Sequence, residues 1–180
     1  LSLVAIVDID SALFSADFRA TERIGQLITQ VAGRAGRGNK LGKVILQTTH
    51  PENILLNTLV HKNYHEFLEL LMQERKATKL PPYSYQALIR AEAKNPASAN
   101  DFLNMVKQQL AACQLQVNCQ GPIPAPMEKR QGFYRAQLLL QTDKRKILQT
   151  VLNQTLPNIE AHKLARSVRW SVDVDPLDMY

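Results

Sequence analysis

Gln30-Val31-Ala32-Gly33-Arg34-Ala35-Gly36-Arg37 closes one periodic stretch of the chain and opens a glycine-rich break. Upstream of it, Ile24, Leu27, Ile28 and Val31 recur at i, i+3, i+4 and i+7, which predicts an amphipathic helix from about Arg19 onward. On such a helix Arg23, Gln30, Arg34 and Arg37 fall opposite the apolar stripe. Gly33, Gly36 and Gly38 crowd one short stretch, so the helix is expected to fray or turn there and let a bulky partner approach the backbone. An amide and two guanidiniums aimed one way suit a polyphosphate, because arginine offers a planar fork of donors and keeps its charge. A basic, solvated helix end that favours the helix dipole is the other reading of the same residues. Spacing alone leaves both open.

The flanks turn this helix into a fold. Leu3 to Ile9 is a continuous apolar run and reads as a buried, parallel-type strand ending in Asp8 and Asp10. A loop through Ser11 to Asp17 leads to the helix. Lys43 to Thr48 is a second short strand, set between Gly42 and Pro51. Strand, helix and strand of these lengths make a parallel βαβ unit with a right-handed crossover. Ligands of open α/β sheets gather at the carboxyl ends of the strands, which places Asp8 and Asp10 near the expected site. Such a pair could touch magnesium, but a strand-end aspartate capping the next turn is the commoner arrangement. Pro51 and Glu52 read as a helix start, followed by Ile54, Leu55, Thr58 and Leu59. A further helix carries Phe67, Leu68, Leu71 and Met72 on one face, and Pro81-Pro82 ends it. The boundary is placed there, giving domains 1–80 and 81–180.

Beyond the prolines the pattern changes. A strand lies within Tyr83 to Ala93. Ser98-x-x-Asp101 has the form of a capping box, opening a helix with Phe102, Leu103, Val106 and Leu110 inward. Val117 to Ile123 and Tyr134 to Gln141 read as strands joined by the Pro-rich, basic stretch 124–132. Asp143 to Leu156 reads as a helix with Ile147, Leu148, Val151 and Leu152 inward, and Val168 to Val174 as a closing strand. The order β-α-β-β-α-β is a split βαβ, ferredoxin-like arrangement. The expected class is therefore α/β: a parallel βαβ unit with helices, followed by an α+β domain.

Composition narrows the partners. The 180 residues carry a net charge of +6, with 45% hydrophobic and 21% charged side chains. That is an ordinary globular composition that favours an anionic partner, nucleic acid first. No run of 18 apolar residues and no basic-then-apolar leader occurs, so neither a membrane span nor export is expected. The chain opens inside a strand without methionine, which suggests a piece of a longer protein. Cys113 and Cys119 lack further ligands at zinc-like spacing, and His61 and His65 lack the glutamate of a zinc-protease helix, so no metal site is assigned.

A basic cluster, Lys129, Arg130 and Arg135 with Phe133 and Tyr134 between them, suits nucleic acid: cations pair with phosphates and aromatics stack on unpaired bases. A solvated hairpin is the plainer reading. A second cluster, Lys144, Arg145 and Lys146, opens the later helix, where Arg145 and Gln149 at i and i+4 could hold a carboxylate, or where these cations could bind DNA phosphate together with Lys129 and Arg130.

The octet Gln30–Arg37 resembles the Q-x-x-G-R-x-G-R motif that ends the second motor lobe of superfamily-2 helicases. Leu3–Arg19, Leu80-Pro81-Pro82 and Val168–Pro176 resemble one branch of them, the bacterial primosomal replication-restart helicases, over essentially the whole chain. The resemblance implies the end of a RecA-like lobe followed by a C-terminal domain of ribosomal S10-like fold. It implies an ATP-dependent 3′-to-5′ DNA helicase of the bacterial cytoplasm and nucleoid that recognises branched and single-stranded DNA and helps assemble the primosome. Gln30, Gly33, Arg34 and Arg37 would then face nucleotide. Arg37 is expected as the arginine finger and Arg34 as its partner, in an order that could be reversed. The phosphate-cradling G-x-x-x-x-G-K-[ST] loop and an acidic D-E strand end are absent, so the ATP and Mg²⁺ site is only half present and the chain alone should be inactive. The family's zinc ligands also fall outside this sequence. By the same resemblance, the acidic tail of a single-stranded DNA-binding protein is the expected partner of Arg145 and Gln149, alongside other primosome proteins. A non-catalytic nucleic-acid-binding module is the alternative.

Overall fold

The computed structural model describes residues 3–35 and 42–177. The chain divides into two compact units, residues 1–78 and 79–180.

In the first unit, β1 (Leu3–Ile6) and β2 (Lys43–Leu46) pair in parallel, Leu3 opposite Lys43 through Ile6 opposite Leu46. Between them run α1 (Asp10–Leu13) and the long α2 (Ala20–Ala35), so the expected βαβ unit forms. After β2 come α3 (Ile54–His61) and α4 (Tyr64–Ala77). Ile9, Ile28 and Leu56 are buried together, with Ile6, Leu13, Ile24, Leu46 and Leu59 packed around them. Gly25 of α2 is where Phe67 of α4 lies against the helix: a Cβ there would come within 2.4 Å of the ring. Arg75 closes the other end. Its guanidinium meets Glu22 at 2.7 Å and lies over the Phe18 ring at 4.9 Å.

Three expectations need correction here. β1 is four residues long and alternates exposed with half-buried positions, so it is not a buried parallel strand. Among the described residues the sheet has only two strands, and Leu3 and Val7 remain exposed. The stretch after Ile9 is not all loop: Asp8, at φ 56, turns the chain into α1 and accepts the Ser11 N–H at 3.3 Å. Pro51-Glu52 does not start α3. Asn53 does, because its side-chain oxygen accepts the Leu56 N–H at 3.1 Å, and an asparagine satisfies an orphan donor that proline and glutamate there leave unmet.

The second unit runs β3 (Tyr85–Ala93), α5 (Pro96–Ala112), β4 (Asn118–Arg130), β5 (Phe133–Thr142), α6 (Arg145–Ala161), a 3₁₀ turn (Lys163–Arg166) and β6 (Arg169–Val174). Its sheet is ordered β4-β5-β3-β6 with every pair antiparallel, the ferredoxin-like arrangement. Alternate residues of β3 (Ala87, Ile89, Ala91) and β5 (Ala136, Leu138, Leu140) face Phe102, Leu103 and Val106 of α5 and Leu148, Val151 and Leu152 of α6.

Local chemistry moves several boundaries. Asn95, not Ser98, caps α5: its side chain accepts the Ala97 N–H at 3.0 Å, and Pro96 fills the first helical position, where its missing N–H costs nothing. The Pro-rich stretch 124–130 is strand rather than connector. β4 is an edge strand, where prolines need no partner, and its register slips twice, between Gln120 and Ile123 and between Pro124 and Lys129. α6 continues past Leu156 through Pro157 to Ala161. Burial of Ile159 at the far side of the proline offsets the lost hydrogen bond.

Candidate nucleic-acid interface

β4 and β5 form a two-stranded arm that ends in a two-residue turn. Gln131 (φ 50) and Gly132 (φ 81) are both left-handed, as the tight hairpin turn matched to strand twist requires. The turn places Arg130 opposite Phe133 and Lys129 opposite Tyr134. Lys129 Nζ lies 3.1 Å from the Tyr134 hydroxyl and 4.7 Å from its ring centre. The Phe133 ring is covered by the Arg169 guanidinium of β6 at 4.4 Å.

The residues expected to meet DNA therefore differ in how free they are. Lys129 and Arg130 are exposed at the arm's end. Arg135 is withdrawn: its Nε is 3.6 Å from Glu92 and its side chain only 16% exposed. Phe133 and Tyr134 each carry a cation on one ring face, so a base must stack on the other face or displace that cation.

The second basic cluster is separate from the first. β5 spans ten residues between them, roughly 30 Å at ~3.3 Å per residue. Lys144 is the N-cap of α6, with no side-chain capping bond, and Arg145 and Lys146 open the helix. Arg145 already holds a carboxylate, that of Asp175, at 2.7 Å, and lies 5.5 Å over the Tyr85 ring. Gln149 is exposed. The anion position expected to ask for a ligand is thus filled by the chain itself.

On α2, Gln30, Gly33 and Arg34 are exposed, and the helix runs through Gly33 to Ala35, while the rest of the expected break, with Gly38, lies outside the described residues. A Cβ built at Gly33 would meet nothing within 4 Å, so that surface is open. Arg23 is committed elsewhere, its guanidinium 3.1 Å from the buried Asp17. Gly36 and Arg37 lie outside the described residues.

Asp10, read as a possible magnesium ligand or a cap, anchors a loop. Its carboxylate accepts hydrogen bonds from the Thr48 hydroxyl, the Thr49 hydroxyl and the Thr49 N–H, the last at 2.8 Å. The Thr48 bond leads these three in holding its pKa below the ordinary 3.8, at about 2. A depressed carboxylate pKa stabilises the fold above the unfolded value and loses that effect as pH falls through the folded one. Acid unfolding followed by circular dichroism should therefore show stability falling from about pH 4 to pH 2. Asp10→Asn should flatten that portion of the curve, and an unchanged curve would remove Asp10 from the loop's anchorage. Among the described residues no group of three or more His, Cys, Asp or Glu could hold a metal ion. Cys113 and Cys119 are free thiols, and burial pushes the Cys119 thiol up.

Residues 76–177 match the family model described as the primosomal protein N C-terminal domain. The chain belongs to that family. It is 44% identical over 180 residues to the replication restart protein PriA of Haemophilus influenzae, covering 99% of this chain and 24% of that protein. The PriA proteins of Thermotoga maritima and Bacillus subtilis are 31% and 30% identical, each aligned over 22% of its length. The chain thus spans about a quarter of the length of the curated relatives it matches.

Sequence spacing does not reach Arg169. It stands in a separate basic stretch of the chain, and only the pairing of β6 with β3, beside β5, carries it to Phe133. No local period announces that neighbour.

Proposed function

We propose that this chain is the end of the second motor lobe and the DNA-contacting C-terminal domain of an ATP-dependent 3′-to-5′ DNA helicase of replication restart. The observation that carries the reading is the β4–β5 arm, with Lys129 and Arg130 exposed at its end, on a domain of the primosomal protein N family. On this reading the first unit belongs to a RecA-like lobe. Its parallel βαβ unit supports that, as does α2, which presents an amide and a guanidinium on one exposed surface. Gln30 and Arg34 suit the phosphates of ATP as donors, and Arg34 has no ion pair among the described residues. With no phosphate-cradling loop in the sequence, the first lobe would bring the triphosphate and Mg²⁺. Substrate and partners follow from the same reading: branched and single-stranded DNA, and other primosome proteins. The tail of a single-stranded DNA-binding protein would reach Arg145 only by displacing Asp175. The setting would be the bacterial cytoplasm and nucleoid. Among the described residues no helix is long and apolar enough to cross a membrane.

Binding of duplex DNA to the whole chain, titrated across salt concentrations, tests the DNA-contacting part. Lys129→Ala with Arg130→Ala should lower the log–log salt slope by about 0.9 for each phosphate that is no longer neutralised. An unchanged slope would move the DNA face elsewhere. The alternative, a non-catalytic nucleic-acid-binding module, predicts the same slope and separates only at Arg34.

A further inference from the structure

Beside the end of the arm lies a cavity of about 420 Å³. Three cations from three elements line it: Lys94 just after β3, Arg166 at the end of the 3₁₀ turn and Arg169 at the start of β6. Phe133, the first residue of β5, forms another wall. All three cations are exposed, and among the described residues none has an ion pair. Arg169 lies over the Phe133 ring. The one acidic residue in the lining, Glu92, stands between Arg169 and Arg135 in the sheet and is drawn to Arg135 at 3.6 Å.

Like charges gathered around a concave surface repel one another and concentrate a positive field within it, so an entering anion gains from all three at once. The volume falls in the range that takes a small ligand or a single residue of a polymer. A guanidinium stacked flat on a ring keeps its in-plane N–H donors free for an anion. We propose that this cavity is a phosphate subsite for single-stranded nucleic acid. One phosphate is held by Arg166, Arg169 and Lys94, and the sugar and base of the same nucleotide lie along Phe133. The observation that selects nucleic acid over an acidic peptide is Phe133 itself. It joins the cavity to the arm, whose Arg130 stands opposite it, so the positive surface continues as a strand's backbone would need. This inference rests on the DNA-contacting reading above.

The test is binding of an oligothymidylate of about 20 nucleotides to the whole chain, by fluorescence anisotropy from about 50 to 300 mM salt. Arg166→Gln with Arg169→Gln should weaken binding about tenfold and lower the log–log salt slope by about 0.7, the one phosphate pairing of the subsite for a single strand. Arg169→Lys keeps the charge and should keep most of the slope. Lys163→Gln with Lys76→Gln removes the same charge from residues that do not line the cavity and should leave the slope unchanged. All these side chains are exposed, so the variants should fold, as circular dichroism would show. Suppose the cavity variant keeps the wild-type slope while Lys129→Ala with Arg130→Ala flattens it. The DNA reading then stands and the subsite is overturned. If the unaltered chain binds no oligonucleotide, the DNA reading fails and takes the subsite with it. If a polyglutamate peptide binds more tightly than the oligonucleotide and the cavity variant loses it, the cavity serves acidic peptides and the proposal is wrong.

Discussion

Phe102→Ala is expected to lower the unfolding free energy of the second unit by about 3–5 kcal/mol. Phe102 is fully buried on α5, where the helix crosses the sheet, and its ring lies 5.5 Å from that of Trp170 on β6. Truncation removes the transfer free energy of the ring and leaves a cavity walled by backbone-anchored strands, which cannot collapse to fill it. A domain of this size has a total stability of about 5–15 kcal/mol, so the loss takes a large share of it. Trp170 is the only tryptophan in the sequence, so its fluorescence in urea reports this unit alone. Met127→Ala, on the exposed side of the arm, should shift the same midpoint by less than about 0.5 kcal/mol. A loss below about 1 kcal/mol for Phe102→Ala would mean that the core is looser than its burial indicates.

How legible these features are in the sequence depends on how local their physics is. Phe102, Leu103, Val106 and Leu110 announce the inner face of α5 by helical spacing, and all four are buried. The βαβ crossover and the β-α-β-β-α-β order follow from strand and helix periods, which are properties of short windows. Helix starts are misplaced where two capping chemistries compete within a few residues. Asn53 and Asn95 prevail because each presents an oxygen to an unpaired N–H two or three residues ahead, and Pro96 has no N–H to satisfy. The second half of strand β4, from Pro124 on, escapes sequence reading because proline argues against a strand unless the strand is at an edge, and edge position is a property of the whole sheet. The candidate sites divide in the same way. Exposure of Gln30 and Arg34 follows from the helical period. The pairing of Arg135 with Glu92 and of Arg145 with Asp175, and the position of Arg169 over Phe133, depend on which strands become neighbours. Neither a basic cluster in sequence nor a basic helix face, where Arg23 pairs with Asp17, is by itself a guide to free charge.

On the helicase reading proposed above, Arg34→Ala is expected to lower DNA-stimulated ATP turnover by about 10³-fold or more when the chain is joined to a phosphate-binding first lobe. DNA affinity should stay within about twofold. The expectation starts from how firmly α2 is set. Phe67 packs against Gly25, and Ile28 and Ala35 are buried on the inner side, so the helix cannot rotate without disturbing that packing. Gln30 and Arg34, one turn apart, are thereby held on the outer surface with open space beside Gly33. A guanidinium carried on a helix set in this way can meet charge developing on a transferring phosphoryl group without the backbone reorganising, and that charge stabilisation is the source of an arginine finger's effect. Arg34→Lys keeps the charge but loses the planar fork, so it should recover only part of the rate. The competing reading is a cation that merely favours the end of a helix. It predicts a stability loss of about 0.3–1 kcal/mol in Arg34→Ala with turnover unchanged. Wild-type turnover in both Arg34→Ala and Arg37→Ala would remove the octet from the nucleotide site and leave the non-catalytic module as the better account of the chain. A deep loss in one and a milder loss in the other would identify which of the two reaches the phosphate.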